Sequence, residues 1–205
     1  MIYIIDYGLG NLGAFYNIYK RLNIETKFAR KAEDLIDVDK IILPGVGAFD
    51  HAMNLLNNSG MREKLDELVL INNIPVIGIC VGMQILGKSS DEGTESGLGW
   101  INGVVKKFDI NKIEYHTKLP HMGWNNIIIE KNDPLFDNLD SNSLFYFLHS
   151  YYFECDNKND ILASSVYGVD FSCAIRRNNI YGVQFHPEKS HLYGIELLNN
   201  FAKLN

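Results

Sequence analysis

The chain changes its hydrophobic rhythm part-way along. In its first 80 residues, apolar runs alternate with amphipathic stretches. Residues 2–5 form an apolar run that stops at Asp6-Tyr-Gly-Leu-Gly10. Leu12, Phe15, Tyr16, Tyr19 and Leu22 then share one stripe at helical spacing. Further strands are predicted over 24–28, 40–44 and 74–79, the 40–44 run being broken by Pro44-Gly45. Between them, residues 49–71 carry helical periodicity with a break near Ser59-Gly60. A helix is expected to start just after Cys80. Apolar strands alternating with helices imply a parallel sheet covered on both faces.

The remainder reads differently. Short strands are predicted over 103–108, 125–130, 144–148, 161–166, 171–175 and 180–185, separated by turn-like segments such as Lys131-Asn-Asp-Pro134 and Arg177-Asn-Asn179. Hairpins follow from that pattern. The chain ends in an amphipathic helix with Ser190 as N-cap and a buried stripe of Leu192, Ile195, Leu198 and Phe201/Ala202. The expected fold is α/β in a single domain over residues 1–205. Its central sheet is mixed and mostly parallel, flanked by helices, with additional antiparallel strands in the C-terminal half.

Composition narrows the classes. The chain has 205 residues, 46% hydrophobic and 21% charged, with a net charge of -6. That balance disfavours nucleic-acid binding, and no apolar run approaches the ~20 residues that span a bilayer. The start, Met1-Ile-Tyr-Ile-Ile-Asp6, lacks the basic segment of a signal peptide. Three cysteines, Cys80, Cys155 and Cys173, with no C-x-x-C spacing, argue against a disulfide framework or a metal site. A reduced, cytoplasmic protein is expected. Asp6-Tyr-Gly-Leu-Gly-Asn11 lacks the third glycine of a dinucleotide-binding loop, so no cofactor is expected.

The chemistry concentrates in three segments. Gly78-Ile-Cys80-Val-Gly82 follows a strand and precedes a helical pattern. Small residues two before and two after a nucleophile are what a sharp strand-to-helix turn requires. At a helix start, free amides favour the thiolate form of Cys80. A base is then needed. Of six histidines, His186 has a carboxylate at strand spacing, in His186-Pro-Glu188. Residues two apart share a face of an extended segment, so Glu188 can orient the His186 ring. Pro44-Gly45-Val46-Gly47 ends a strand near the turn, where glycines let backbone amides approach a substrate oxygen. With the amide of Val81 they would form an oxyanion hole.

Pro44-Gly-Val-Gly47, Gly78-Ile-Cys-Val-Gly-Met-Gln84 and His186-Pro-Glu188 together resemble the class I (triad-type) glutamine amidotransferases, whose fold is flavodoxin-like. Asp6-Tyr-Gly-Leu-Gly-Asn11, Leu119-Pro-His-Met-Gly-Trp-Asn125, His149-Ser-Tyr-Tyr152 and His186-Pro-Glu-Lys-Ser190 narrow the likeness to the glutaminase subunits of imidazole glycerol phosphate synthases. The resemblance implies glutamine hydrolysis through a thioester on Cys80, with His186 moving protons and Glu188 orienting it. Gly45, Val46 and Val81 would supply oxyanion-hole amides. Gly47, Gln84, Glu92, Ser150 and Tyr151 would bind L-glutamine. Asn11, Trp124 and Lys189 would face a partner, a cyclase of (β/α)8-barrel fold in a heterodimer. Gly13-Ala14, Trp100 and His191 depart from the usual pattern, and close paralogues supply ammonia to sugar amidotransferases of surface-polysaccharide synthesis. A scaffold that kept the fold, or a protease-like relative, would not require the triad together with Gln84 and Glu92.

Overall fold

The computed structural model describes residues 1–116 and 118–204. Strands β1 (Ile2–Ile5), β3 (Lys40–Gly45) and β4 (Val76–Cys80) are buried along nearly their whole length, as strands covered on both faces must be. β2 (Thr26–Ala29) lies at the sheet edge and is half exposed. The expected strand over 24–28 therefore begins and ends slightly later. Helices α1 (Leu12–Arg21), α2 (Phe49–Asn58) and α3 (Arg62–Asp66) supply the cover. The predicted break at Ser59-Gly60 is real, with Gly60 at φ 72°. Beyond α3 the last turn, Glu67–Ile71, widens into a π-helix.

The second half extends the same sheet. β12 (Ile180–Val183) pairs parallel with β4. β11 (Val169–Arg177) and β10 (Ile161–Tyr167) follow antiparallel, and β7 (Ile128–Ile129) closes the edge. β9 (Tyr151–Cys155) branches from β11 and carries β5 (Gly103–Lys107). β6 (His121–Asn126) and β8 (Leu144–His149) form a separate two-stranded sheet. The strand expected over 125–130 is thus two strands in different sheets, divided at Ile127, which is fully buried. β9 and most of β6 have no counterpart among the strands the sequence predicts. The expectation of a mixed sheet with antiparallel strands added in the C-terminal half holds.

The C-terminal helix α5 (His191–Lys203) departs from its predicted stripe. Leu192 is 79% exposed. The inward face is Gly194, Leu197, Leu198 and Phe201. The cause is a close approach: a Cβ on Gly194 would lie 1.8 Å from the Pro187 carbonyl oxygen, which sets the helix's rotation. Ser190 does occupy the N-cap position, but its hydroxyl makes no cap bond. Instead it donates to the His186 carbonyl at 2.6 Å and accepts from the Tyr146 amide at 3.0 Å, tying β8 to the turn after β12. Tyr19, fully buried on α1, donates to Leu198 O at 3.0 Å and fastens α5 to the first half.

Because α5 rests backbone-to-backbone on the 187–189 turn, Gly194→Ala is expected to destabilise the protein by ~1–3 kcal/mol, the range for forced overpacking. Urea denaturation measures it. An unchanged midpoint would show that the helix can shift without strain.

Candidate active site

Parallel strands deliver their carboxyl ends to one place, and that is where this site lies. β3 ends level with the end of β4, Gly45 being paired with Cys80. β12 is in register with β4 up to Val183 opposite Ile79, and the chain runs on through Gln184 to His186. Three neighbouring strand ends thus bring Gly45, Cys80 and His186 together from positions far apart in sequence.

The turn at Cys80 is made by glycine. Cys80 has φ 56° and ψ -113°, a strained backbone for a side-chain-bearing residue. It is followed at once by α4 (Val81–Gln84), a single short turn. A Cβ on Gly78 would meet Gly82 O at 2.4 Å, and one on Gly82 would meet Leu43 O at 1.9 Å. A Cβ on Gly45 would come within 2.4 Å of the Gly82 amide. The helix expected after Cys80 is therefore present but only four residues long. Its first-turn amides, rather than a long helix axis, supply the positive field at the sulfur.

His186 is buried, and its Nδ1 lies 2.8 Å from Glu188 Oε1. Its backbone amide donates to Tyr146 O at 2.8 Å. Glu188 Oε2 is buried with no hydrogen-bond partner among the described residues, leaving His186 to answer the carboxylate's charge. Burial works against a charged ring at His186, but hydrogen bonds and charge from Cys80 and Glu188 outweigh it and raise its pKa from 6.5 to about 10. These partners favour the protonated form of His186 beside the Cys80 sulfur.

Two other histidines go the opposite way. Burial lowers His121 to about 4, and burial together with His121 lowers His149 to about 3. His121 Nδ1 lies 2.9 Å from His149 Nε2, and His149 Nδ1 lies 2.8 Å from Tyr151 O. A carbonyl only accepts, so His149 carries its proton on Nδ1 and His121 donates to His149.

A cavity of about 280 Å³ opens over the sulfur. That lies below the ~300–1,000 Å³ of sites for larger ligands and suits a single amino acid. Val46, Gly47, Val81, Gln84, Glu92, Ser150, Tyr151 and Lys189 all line it with Cys80 and His186. Gly45 does not; it is packed against the α4 backbone. Tyr7, kept neutral by burial and by nearby Cys80, donates to Pro44 O at 2.6 Å and pins this strand end. Glu92 Oε2 accepts from the Phe49 amide at 2.8 Å. Gln84 spends its Nε2 on Tyr151 O at 3.3 Å and Gln184 Oε1 at 3.1 Å. What Gln84 and Glu92 still offer the cavity is oxygen. Asn11 and Trp124 are outside the cavity on the surface, and α1, which begins beside Asn11, packs on the turn holding Lys189.

A match to the family model for glutamine amidotransferase class-I covers residues 2–204. The chain belongs to the class I glutamine amidotransferase family. It is 56% identical over its whole length to the imidazole glycerol phosphate synthase subunit HisH of Bdellovibrio bacteriovorus, and 52% identical to that of Leptospira borgpetersenii, each relative also being covered in full. Solved structures share the fold. A glutamine amidotransferase crystal structure aligns over 97% of this chain and 98% of its own, with a TM-score of 0.72 and 22% identity. The PurLQS structure from Thermotoga maritima aligns over 98% and 96%, with a TM-score of 0.72 and 16% identity. As a class I amidotransferase the chain is an enzyme acting on glutamine.

Sequence reasoning missed Gln184, whose Nε2 lies 3.8 Å from Cys80 Sγ. The spacing that singled out Glu188, two after His186, applies equally to Gln184, two before it. Tyr7 and the His121–His149 pair carried no such signal.

The opposed environments give a direct test. In nitrogen-edited NMR titrations, His186 is expected to remain protonated at pH 8, while His121 and His149 remain neutral down to about pH 5, above their shifted values. Glu188→Gln removes an anion that favours the imidazolium and should lower the His186 midpoint. A His186 that titrates near 6.5 would contradict the charge assignment.

Proposed function

We propose that this chain is the glutaminase subunit of an imidazole glycerol phosphate synthase in histidine biosynthesis, a single glutaminase domain over residues 1–205 acting in the cytoplasm. The observation that carries the reading is the buried His186–Glu188 pair beside Cys80, in a chain 52–56% identical throughout to proteins of that name. Cys80 Sγ attacks the side-chain amide carbon of L-glutamine, forming a C–S bond and an oxyanion. Amides from the Val46 and Val81 region stabilise that oxygen as it charges. His186 gives its proton to the amide nitrogen, the C–N bond breaks, and ammonia leaves a glutamyl thioester. Neutral His186 then takes a proton from water as the water attacks the thioester, and glutamate is released. Glu188 holds the ring and stabilises its charged form through both steps.

The cavity's chemistry supports glutamine as substrate. Oxygens of Gln84 and Glu92 suit the α-ammonium group, and Ser150 and Tyr151 offer a hydroxyl and an amide to the α-carboxylate. Ammonia then passes to a cyclase subunit, proposed as a (β/α)8 barrel, which makes imidazole glycerol phosphate and AICAR. Asn11, Trp124 and Lys189 are assigned to the face that meets it. Trp124 is 46% exposed and stacks on His191, with ring centroids 5.0 Å apart.

Coupling the two activities avoids wasted ammonia, and the loop after β3 offers the switch. Gly45 is locked against α4, whereas Gly47 is at φ 89° with open space around it. The peptide between Val46 and Gly47 can therefore turn at low strain. One absent oxyanion donor costs on the order of a hundredfold in rate. The purified chain is expected to release glutamate slowly, and about a hundredfold or more faster with the cyclase and its ligand bound. Cys80→Ala should stop glutamate release in that complex while added ammonia still yields product. Full activity without a partner would end the coupling argument. Activation by a sugar amidotransferase and not by the cyclase would reassign the recipient.

A further inference from the structure

Gln184 is fully buried, and nothing in the triad chemistry uses it. Its amide is nevertheless aimed. Gln184 Oε1 accepts from Gln84 Nε2 at 3.1 Å, which turns its own Nε2 toward Cys80 Sγ at 3.8 Å. Gln84 is aimed in turn, because Nε2 must face the Tyr151 carbonyl at 3.3 Å. That carbonyl is also held by His149 Nδ1 at 2.8 Å, and His149 receives from His121 at 2.9 Å. Asn125 Nδ2 closes the far end, reaching His121 Nε2 at 3.3 Å and Val166 O at 3.0 Å. Every group in this run has one arrangement that satisfies all the others, so none of the three amides can flip and neither ring can change tautomer without leaving a polar group unpaired.

We propose that Gln184 is a further catalytic residue, an amide donor to the Cys80 sulfur, and that the run from half-buried Asn125 through His121, His149 and Tyr151 O to Gln84 holds it in aim. The sulfur's surroundings fit two states. The thiol can donate to Leu148 O, which lies 4.0 Å from Sγ. The thiolate has no hydrogen to give and receives from Gln184 and from the His186 imidazolium. A donor to the charged form stabilises that form and keeps the sulfur pointed at the cavity. Gln84, His149 and His121 are positioning residues, acting through Tyr151 O on a wall of the same cavity.

The inference rests on Cys80 being the nucleophile, and the experiment separates the two. Alkylation of Cys80 by iodoacetamide at pH 7 is followed by peptide mass mapping in the full-length protein, alongside glutamine kinetics in the cyclase complex. Gln184→Met keeps the side chain's length without the N–H and is expected to slow alkylation and kcat about tenfold, as loss of a charged hydrogen bond does, with KM within about twofold. If the Met variant does not fold, Gln184→Glu keeps the shape and the acceptor facing Gln84 but presents oxygen to sulfur, and the same loss is expected. His149→Phe should slow Cys80 alkylation in the same direction by a smaller factor. A folded Gln184→Met protein alkylated at the wild-type rate overturns the proposal, and His149→Phe at the wild-type rate removes the relay from it. Glutamine hydrolysis by Cys80→Ala would instead overturn the assignment of the nucleophile.

Discussion

Backbone touching backbone at the end of β4 is the constraint on which the site depends. Gly45, Gly78 and Gly82 let β3, β4 and α4 approach to distances that no Cβ would permit. That contact forces the chain to reverse within one residue, and the residue at the apex is Cys80, at positive φ. The strain is local, and it is held by a sheet buried on both faces. Once the apex is fixed, the register of β12 delivers Gln184 and His186 beside it, and the Gly194–Pro187 contact seats the turn that carries Glu188.

Charge is then distributed by partners rather than by burial alone. His186, His121 and His149 are all buried. The first has Cys80 and Glu188 as partners and becomes easier to protonate. The other two have each other and a carbonyl, and become harder to protonate. The fold thus sets a ring that favours its protonated form close to a neutral pair whose hydrogen bonds keep a fixed direction. Protonating that pair would set two donors against each other, so its rigidity requires neutrality.

Much of this was legible in the sequence because the chemistry sits in short, contiguous words. Gly78 to Gly82 specifies the turn, and His186 and Glu188 share a strand face, so local geometry was enough to nominate them. The alternating apolar runs likewise gave β1, β3 and β4 close to their observed bounds. β6 was obscured because it opens beside Pro120 and contains Gly123, and its inward residue His121 is polar. Periodicity alone turns Leu192 inward, whereas the rotation of α5 is set by Gly194 against Pro187, a contact between elements. The amide and histidine run was invisible for a related reason: its partners lie 28, 67 and 100 positions apart. Only folding makes them neighbours.

Among three cysteines, this geometry selects one. Cys173 is buried with its thiol pushed well above the ordinary range, and Cys155 is raised to about 12, both by burial. Cys80 alone opens on the glutamine-sized cavity. A chloroketone analogue of glutamine, incubated with the protein and mapped by peptide mass spectrometry, tests that selection most directly. The expected result is one label, on Cys80, lost when excess glutamine is present. Label on Cys155 or Cys173, or labelling of Cys80 that glutamine does not block, would contradict it.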